Sequence, residues 1–167
     1  MIYDSHFHLC ALDPDWRPNP VLSGGLAVTT QPSEWSFTFD RLSLLSSRWF
    51  MALGVHPWFA HLAPEWTEFE LLLSEHPALA VGEIGLDGSF GHANPSQQLV
   101  VFKQQMQFAS DYKRVVSLHL VNDGEQGYQL LRAMRGFKVG VVHGFSGSLV
   151  QAQRWQALGF YLGIGPR

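Results

Sequence analysis

Seven compact apolar runs recur along this chain, and most are separated by segments whose apolar residues fall at helical spacing. That alternation limits the fold more than any other feature. Strands alternating with amphipathic helices argue for parallel βα units, because a parallel connection needs a crossover, usually a helix. The first run begins at Ile2 and Tyr3; the others span 25–30, 49–55, 79–85, 115–121, 139–143 and 160–164. Between them, Pro32-Ser33 opens a helix whose predicted buried face is Phe39, Leu42 and Leu45. Pro64 occupies the first turn of the next, with Trp66, Phe69 and Leu73 as its stripe. Asn94-Pro95 caps a helix bearing Leu99, Phe102, Met106 and Ala109, and Asp123 caps one bearing Tyr128, Leu131 and Met134. Ser148 starts the last, through Leu149, Ala152 and Trp155, and Gly159 stops it. Residues 12–23 are too irregular for a helix.

Ligand-type residues gather at the C-terminal ends of the predicted strands: His6 and His8 after the first, Glu83 in the fourth, His119 in the fifth and His143 after the sixth. Alternation along a strand turns His6 and His8 to the same face. In a (β/α)₈ barrel the C-terminal face carries the active site, and the ends of several strands converge there. A TIM-type α/β barrel is therefore the predicted fold.

Four imidazoles and one carboxylate suit Zn2+ and neighbouring divalent metals. Five ligands exceed what one tetrahedral ion with an open position needs. They fit two ions ~3.5–4 Å apart, with a carboxylate and a water between them. Glu83 is the one strand-end carboxylate placed to bridge, with His6 and His8 on one ion and His119 and His143 on the other. Water held between two cations loses a proton near neutral pH and becomes a nucleophile, which is hydrolytic chemistry without an organic cofactor.

Each of these residues has a competing structural reading. Glu83 could be a buried carboxylate with an ion-pair partner, although no Lys or Arg is near it in sequence. His119 and His143 could be hydrogen-bonded core histidines. His56 either contacts a substrate phosphate or ends a strand, while His61, His76 and His92 read as surface residues. Asp4 and Asp87 are candidates for orienting the histidines, with a turn cap the alternative for Asp87. Cys10, the lone cysteine, reads as a small buried side chain and permits no internal disulfide.

The 167 residues are 46% hydrophobic with a net charge of −3, which supplies one core and no global attraction for nucleic acid or membrane. One domain over residues 1–167 is expected, without a signal-type or membrane-spanning run, in a reducing cytoplasmic setting.

The motifs Asp4-Ser5-His6-Phe7-His8-Leu9, Gly54-Val55-His56-Pro57, Gly82-Glu83-Ile84-Gly85-Leu86-Asp87 and His143-Gly144-Phe145-Ser146-Gly147-Ser148, in that order, resemble the signatures of the TatD-type metal-dependent hydrolases. Gln98 and Phe102 also match that family's helix after the Glu83 stretch. The resemblance covers essentially the whole chain. It implies a TIM barrel of the amidohydrolase superfamily and divalent-metal deoxyribonuclease activity, in some members a 3′→5′ exonuclease. It implies His6, His8, Glu83, His119 and His143 as ligands of two Zn2+, Mn2+ or Mg2+ ions, Glu83 as the catalytic bridging residue, and His56 beside the substrate phosphate.

Two departures stand out. Val121 occupies a position that is usually arginine in the family, and the family's eighth strand, with a metal-binding aspartate in a Glu-Thr-Asp motif, has no counterpart before Arg167. TIM barrels typically run ~250 residues. The sequence therefore predicts an incomplete barrel of seven strands, lacking the eighth strand and its helix, and puts its activity in question. The leading reading is a hydrolase of DNA phosphodiesters. The alternatives are a non-catalytic metal-binding or interaction module, closed by association of copies at the open edge, and a hydrolase of a small amide or ester.

Overall fold

The computed structural model describes residues 1–89, 94–134, 136 and 139–165. Within these residues seven strands form one parallel sheet in sequence order: β1 (Ile2–Phe7), β2 (Leu22–Val28), β3 (Trp49–Leu53), β4 (Ala80–Asp87), β5 (Val116–Val121), β6 (Gly140–Val142) and β7 (Phe160–Leu162). Five α-helices connect them: α1 (Trp35–Ser43), α2 (Trp66–Glu75), α3 (Pro95–Asp111), α4 (Gly124–Ala133) and α5 (Leu149–Ala157). Among the described residues β1 and β7 each pair with a single neighbour, so the sheet is a curled half-barrel.

The curl is measured by its ends. On a flat sheet, strands five positions apart lie roughly 24 Å from one another, at ~4.8 Å per spacing. Yet the rings of His6, on β1, and His143, just past β6, stack with centroids 3.8 Å apart and planes 4° apart. The sheet must bend sharply for these two to meet, which is what a closing barrel does.

Glycine permits that bend on the Glu83 strand. A Cβ at Gly54 would lie 2.5 Å from the carbonyl carbon of Gly82, and one at Gly85 would overlap the backbone carbonyl of His119. The two predicted glycine motifs are therefore places where neighbouring backbones touch. Past the end of β3, Glu83 N–H donates directly to the carbonyl of Thr29 at 2.9 Å.

The core lies between sheet and helices. Phe69 and Leu73 of α2 and Phe102, Met106 and Ala109 of α3 pack with Leu53, Val81, Ile84 and Leu118 of the strands. Each large side chain buried fully contributes ~1.5–3 kcal/mol. Aromatic residues make up 13% of the chain, and several of them pack around Phe69, whose ring meets Trp35, Trp66 and Phe108 at 5.6, 5.4 and 5.4 Å.

Asn94 caps α3 by accepting from Ser96 N–H at 2.8 Å, and Ser148 forms a capping box with Gln151 on α5, as their residue types predict. Other expectations are corrected. The buried face of α1 is Trp35, Thr38 and Leu42, and Phe39 is exposed, because the Trp35 indole turns inward to donate to the Gly54 carbonyl at 3.2 Å. Pro64 lies just outside α2, whose N-cap is Glu65. Asp123 stands at the N-cap of α4 without a capping side-chain bond. Cys10 is exposed: the short 3₁₀ turn Leu9–Ala11 directs Leu9 into the core, and successive residues of such a turn point in different directions. Its Sγ lies 3.3 Å from Thr38 Oγ1.

Candidate metal centre

The strand ends bring His6, His8, His56, His119 and His143 around one carboxylate, Glu83, which is 2% exposed. His6 Nε2 and His8 Nε2 face Glu83 Oε2 at 3.5 and 3.4 Å. His119 Nδ1 and His143 Nε2 face Oε1 at 2.8 and 2.5 Å, and His56 Nε2 lies 3.7 Å from the same oxygen. Each carboxylate oxygen thus serves its own set of imidazoles. No Lys or Arg appears among these partners, so the structural alternative for Glu83, a conventional ion pair, is replaced by a ring of histidines.

The two triplets that could each hold a metal ion cut across this division and across the expected pairing of His6 with His8 and His119 with His143: they are His6, Glu83 and His143, and His56, Glu83 and His119, with ligand atoms within 4.8 Å of one another in each. Zn–N bonds of ~2.0–2.1 Å around a tetrahedral ion separate ligand atoms by roughly 3.3 Å. His6 and His8 stand from Glu83 at about that spacing; His119 and His143 stand at hydrogen-bonding distance.

His6 carries a further sign. Its Nδ1 lies 3.0 Å from Ser117 Oγ, and its buried Nε2 has no hydrogen-bond partner among the described residues. Buried polar atoms are almost always satisfied. A ring that donates from Nδ1 to Ser117 presents an unprotonated Nε2 toward Glu83, the form that binds a cation.

Asp87 supplies the matching support on the opposite flank. Its Oδ2 lies 2.9 Å from His119 Nε2 and accepts from Trp58 Nε1–H at 2.7 Å, while Ser89 N–H donates to Oδ1 at 2.8 Å. Asp87 is therefore both partner of a ring and acceptor of a turn. Asp4 is only the latter, since its Oδ1 accepts from the backbone N–H of His6.

Electrostatics follow from this crowding. Burial pushes the Glu83 carboxyl up, but hydrogen bonds from His119 and His143, with the His6 ring close by, outweigh it and hold the group well below the ordinary carboxylate range. Asp87 is likewise pushed up by burial and brought down to about 2 by Ser89, His119 and Trp58. His119 is raised: burial opposes the imidazolium, and Glu83 and Asp87 overcome it. Burial lowers His8, and it lowers His56 to about 3, in both cases against the pull of Glu83.

A pH dependence of the metal-free protein results. An unfolded imidazole titrates near ~6.5. Folded His56 refuses a proton down to about 3, so the unfolded state binds more protons between those values and stability falls as pH drops below ~6.5. His119, raised, contributes stability that is full below ~6.5 and lost as pH rises through its folded value. The contribution of Glu83 is full above its unfolded value and is lost progressively as pH falls from there through its depressed folded value. Chelator-treated protein should be most stable near pH ~6.5, and His56→Asn should flatten the acid side of a Tm–pH profile. An unchanged acid limb would place that loss elsewhere.

The sequence reading missed Ser117 and Trp58. Ser117 was legible: it sits two residues before His119 on one strand, and so on the same face. Trp58 had no comparable signal, because the 3₁₀ segment Pro57–Leu62 that positions it was unforeseen. His61 is exposed, His76 is half-buried against Phe39, and His92 lies outside the described residues.

A curled parallel βα sheet with histidines and a carboxylate gathered at its C-terminal strand ends is the architecture of TIM-barrel metal-dependent hydrolases. A sequence model of TatD-related DNases matches residues 3–167. This chain belongs to the TatD family. It is 32% identical over 148 residues to an uncharacterized metal-dependent hydrolase, YjjV, of Escherichia coli K12, covering 84% of this chain and 57% of that protein. It is 34% identical over 117 residues to the 3′-5′ ssDNA/RNA exonuclease TatD of Edwardsiella piscicida, covering 66% of this chain and 44% of the other. The crystal structure of the YjjV TatD homolog from Escherichia coli K12 superposes with a TM-score of 0.79 at 26% identity, over 96% of this chain and 66% of that one. The chain thus spans about half the length of the curated relatives it matches.

Proposed function

We propose that this chain carries the metal centre of a divalent-metal-dependent phosphodiester hydrolase acting on DNA. The observation that carries the reading is the division of one buried carboxylate between two sets of imidazoles, His6 and His8 at Oε2 and His119 and His143 at Oε1. In this reading those four histidines and Glu83 would hold two ions, Glu83 being the residue shared by both. Zn2+, Mn2+ or Mg2+ held there would activate a water for attack and offset the charge of a phosphodiester.

The chain's own residues supply the rest. Ser117 and Asp87 fix the rings of His6 and His119 through the nitrogens that face away from Glu83. His56, uncharged at neutral pH and 4% exposed, offers an imidazole beside Oε1 for a substrate oxygen. Nucleic acid as substrate is supported by the similarity to the Edwardsiella relative, named a 3′-5′ ssDNA/RNA exonuclease. Among the described residues no helix is long and apolar enough to cross a membrane, which agrees with a cytoplasmic site of action.

The test is metal content per chain by elemental analysis, with hydrolysis of single-stranded DNA and of small amides and esters compared in Mn2+, Mg2+ and Zn2+. About two ions with DNA turnover is the expected result. Two ions with turnover of the small substrates alone would move the reading to an amide or ester hydrolase. Metal without any turnover would make the chain a binding module.

A further inference from the structure

We propose that Gln98 and Gln105, on one face of α3, are positioning residues that set the two flanks of the site around Glu83. The inference rests on the metal reading above only for one of its two readouts.

Both side chains are buried, at 3% and 0% exposure. Their neighbours on α3, Val101, Phe102 and Met106, fill the same interior with apolar groups. A buried primary amide costs free energy unless its donor and acceptor are both used. Here they are used in the same unusual way twice. Gln98 Oε1 accepts from Asp87 N–H at 2.8 Å while its Nε2 donates to the Asp87 carbonyl at 3.1 Å. Gln105 Oε1 accepts from Val55 N–H at 2.7 Å while its Nε2 donates to the Val55 carbonyl at 3.1 Å. Each amide pairs with both backbone groups of one residue, as an adjacent strand would.

The two residues so gripped stand next to the chemistry. Asp87 reaches His119 Nε2 at 2.9 Å, and His119 Nδ1 reaches Glu83 at 2.8 Å. Val55 directly precedes His56, which lies 3.7 Å from Glu83. Seven residues of helix, a rise of ~10.5 Å, set the spacing between the two grips. A rigid helix therefore fixes the end of β4 relative to the segment after β3. Gln98 acts on the His119 side and Gln105 on the His56 side.

The test uses Gln98→Met, Gln105→Met and a core control, Phe69→Leu, which removes packing on α2 away from the site. Ring 15N shifts of the histidines are recorded in metal-free protein at fixed pH, and Zn2+ affinity by competition with a chromophoric chelator. Gln98→Met should move the His119 ring resonances and weaken Zn2+ binding about 10–100-fold, the usual scale for loss of a partner behind a ligand. Gln105→Met should move the His56 resonances most and those of His119 less, through the contact between the two rings at 4.2 Å, while Gln98→Met does the reverse. Phe69→Leu should lower Tm and do neither. Should Gln98→Met not fold, Gln98→Asn keeps the amide and withdraws it by one methylene, with the same expected pattern. Unmoved His119 shifts and Zn2+ affinity in a folded Gln98 variant, or changes matched by Phe69→Leu, would overturn the inference. Wild-type protein that binds no Zn2+ while His119 still answers to Gln98 would overturn the metal reading and leave the positioning role standing.

Discussion

Glu83→Ala is expected to lower metal content from about two ions per chain to one or none, and to cut any hydrolysis by roughly a thousandfold or more, about 4 kcal/mol at the transition state. The reason is geometric. One carboxylate faces every histidine of the cluster, so its loss removes the only group shared by both sets. Replacement of any single histidine leaves the other set intact. His61→Ala is the matched control: that ring is exposed on the Pro57–Leu62 turn, and metal content should not change. Elemental analysis decides, since unchanged stoichiometry in Glu83→Ala would remove Glu83 as the bridge.

Gly85→Ala should act on the fold that holds the site, destabilising the protein by about 3–5 kcal/mol. Added at this position, a Cβ overlaps the His119 carbonyl, a backbone atom that no side-chain rotation can move away. The backbone φ of 155° adds a further penalty for any residue with a Cβ. Strands β4 and β5 meet here, with Gly85 paired to His119, so separating them would also pull a predicted ligand from Glu83. Thermal unfolding of the metal-free variant should show Tm lower by roughly 10 °C or more. A Tm within about 2 °C of wild type would show that the two strands can part without cost.

How much of this could be read from the chain varies residue by residue. His6 and His8 were legible as a same-face pair because strand alternation is a local rule, and Asn94 and Ser148 as caps because an N-cap bond spans only two or three residues. The inward face of α1 was misread. Phe39, Leu42 and Leu45 have acceptable helical spacing, but the burial of Trp35 depends on the carbonyl of Gly54, nineteen residues away in the chain. Gln98 was visible only as a family match, and nothing local distinguished a buried amide from a surface one.

The order of strands and helices, the capping of α3 and α5, and the placement of ligand-type residues at strand ends were determined by the sequence alone. Each rests on periodicity or propensity within a few residues, where chain connectivity already fixes the neighbours. The tertiary structure decided which of those residues meet. His6 and Ser117 touch across 111 positions, and His6 stacks on His143 across five strands, only because the sheet curls. That curl comes from accumulated strand twist and from glycine-lined contacts at Gly54, Gly82 and Gly85, summed over the whole sheet. A distance between strand ends is a property of that sum, and so no single stretch of the chain contains it.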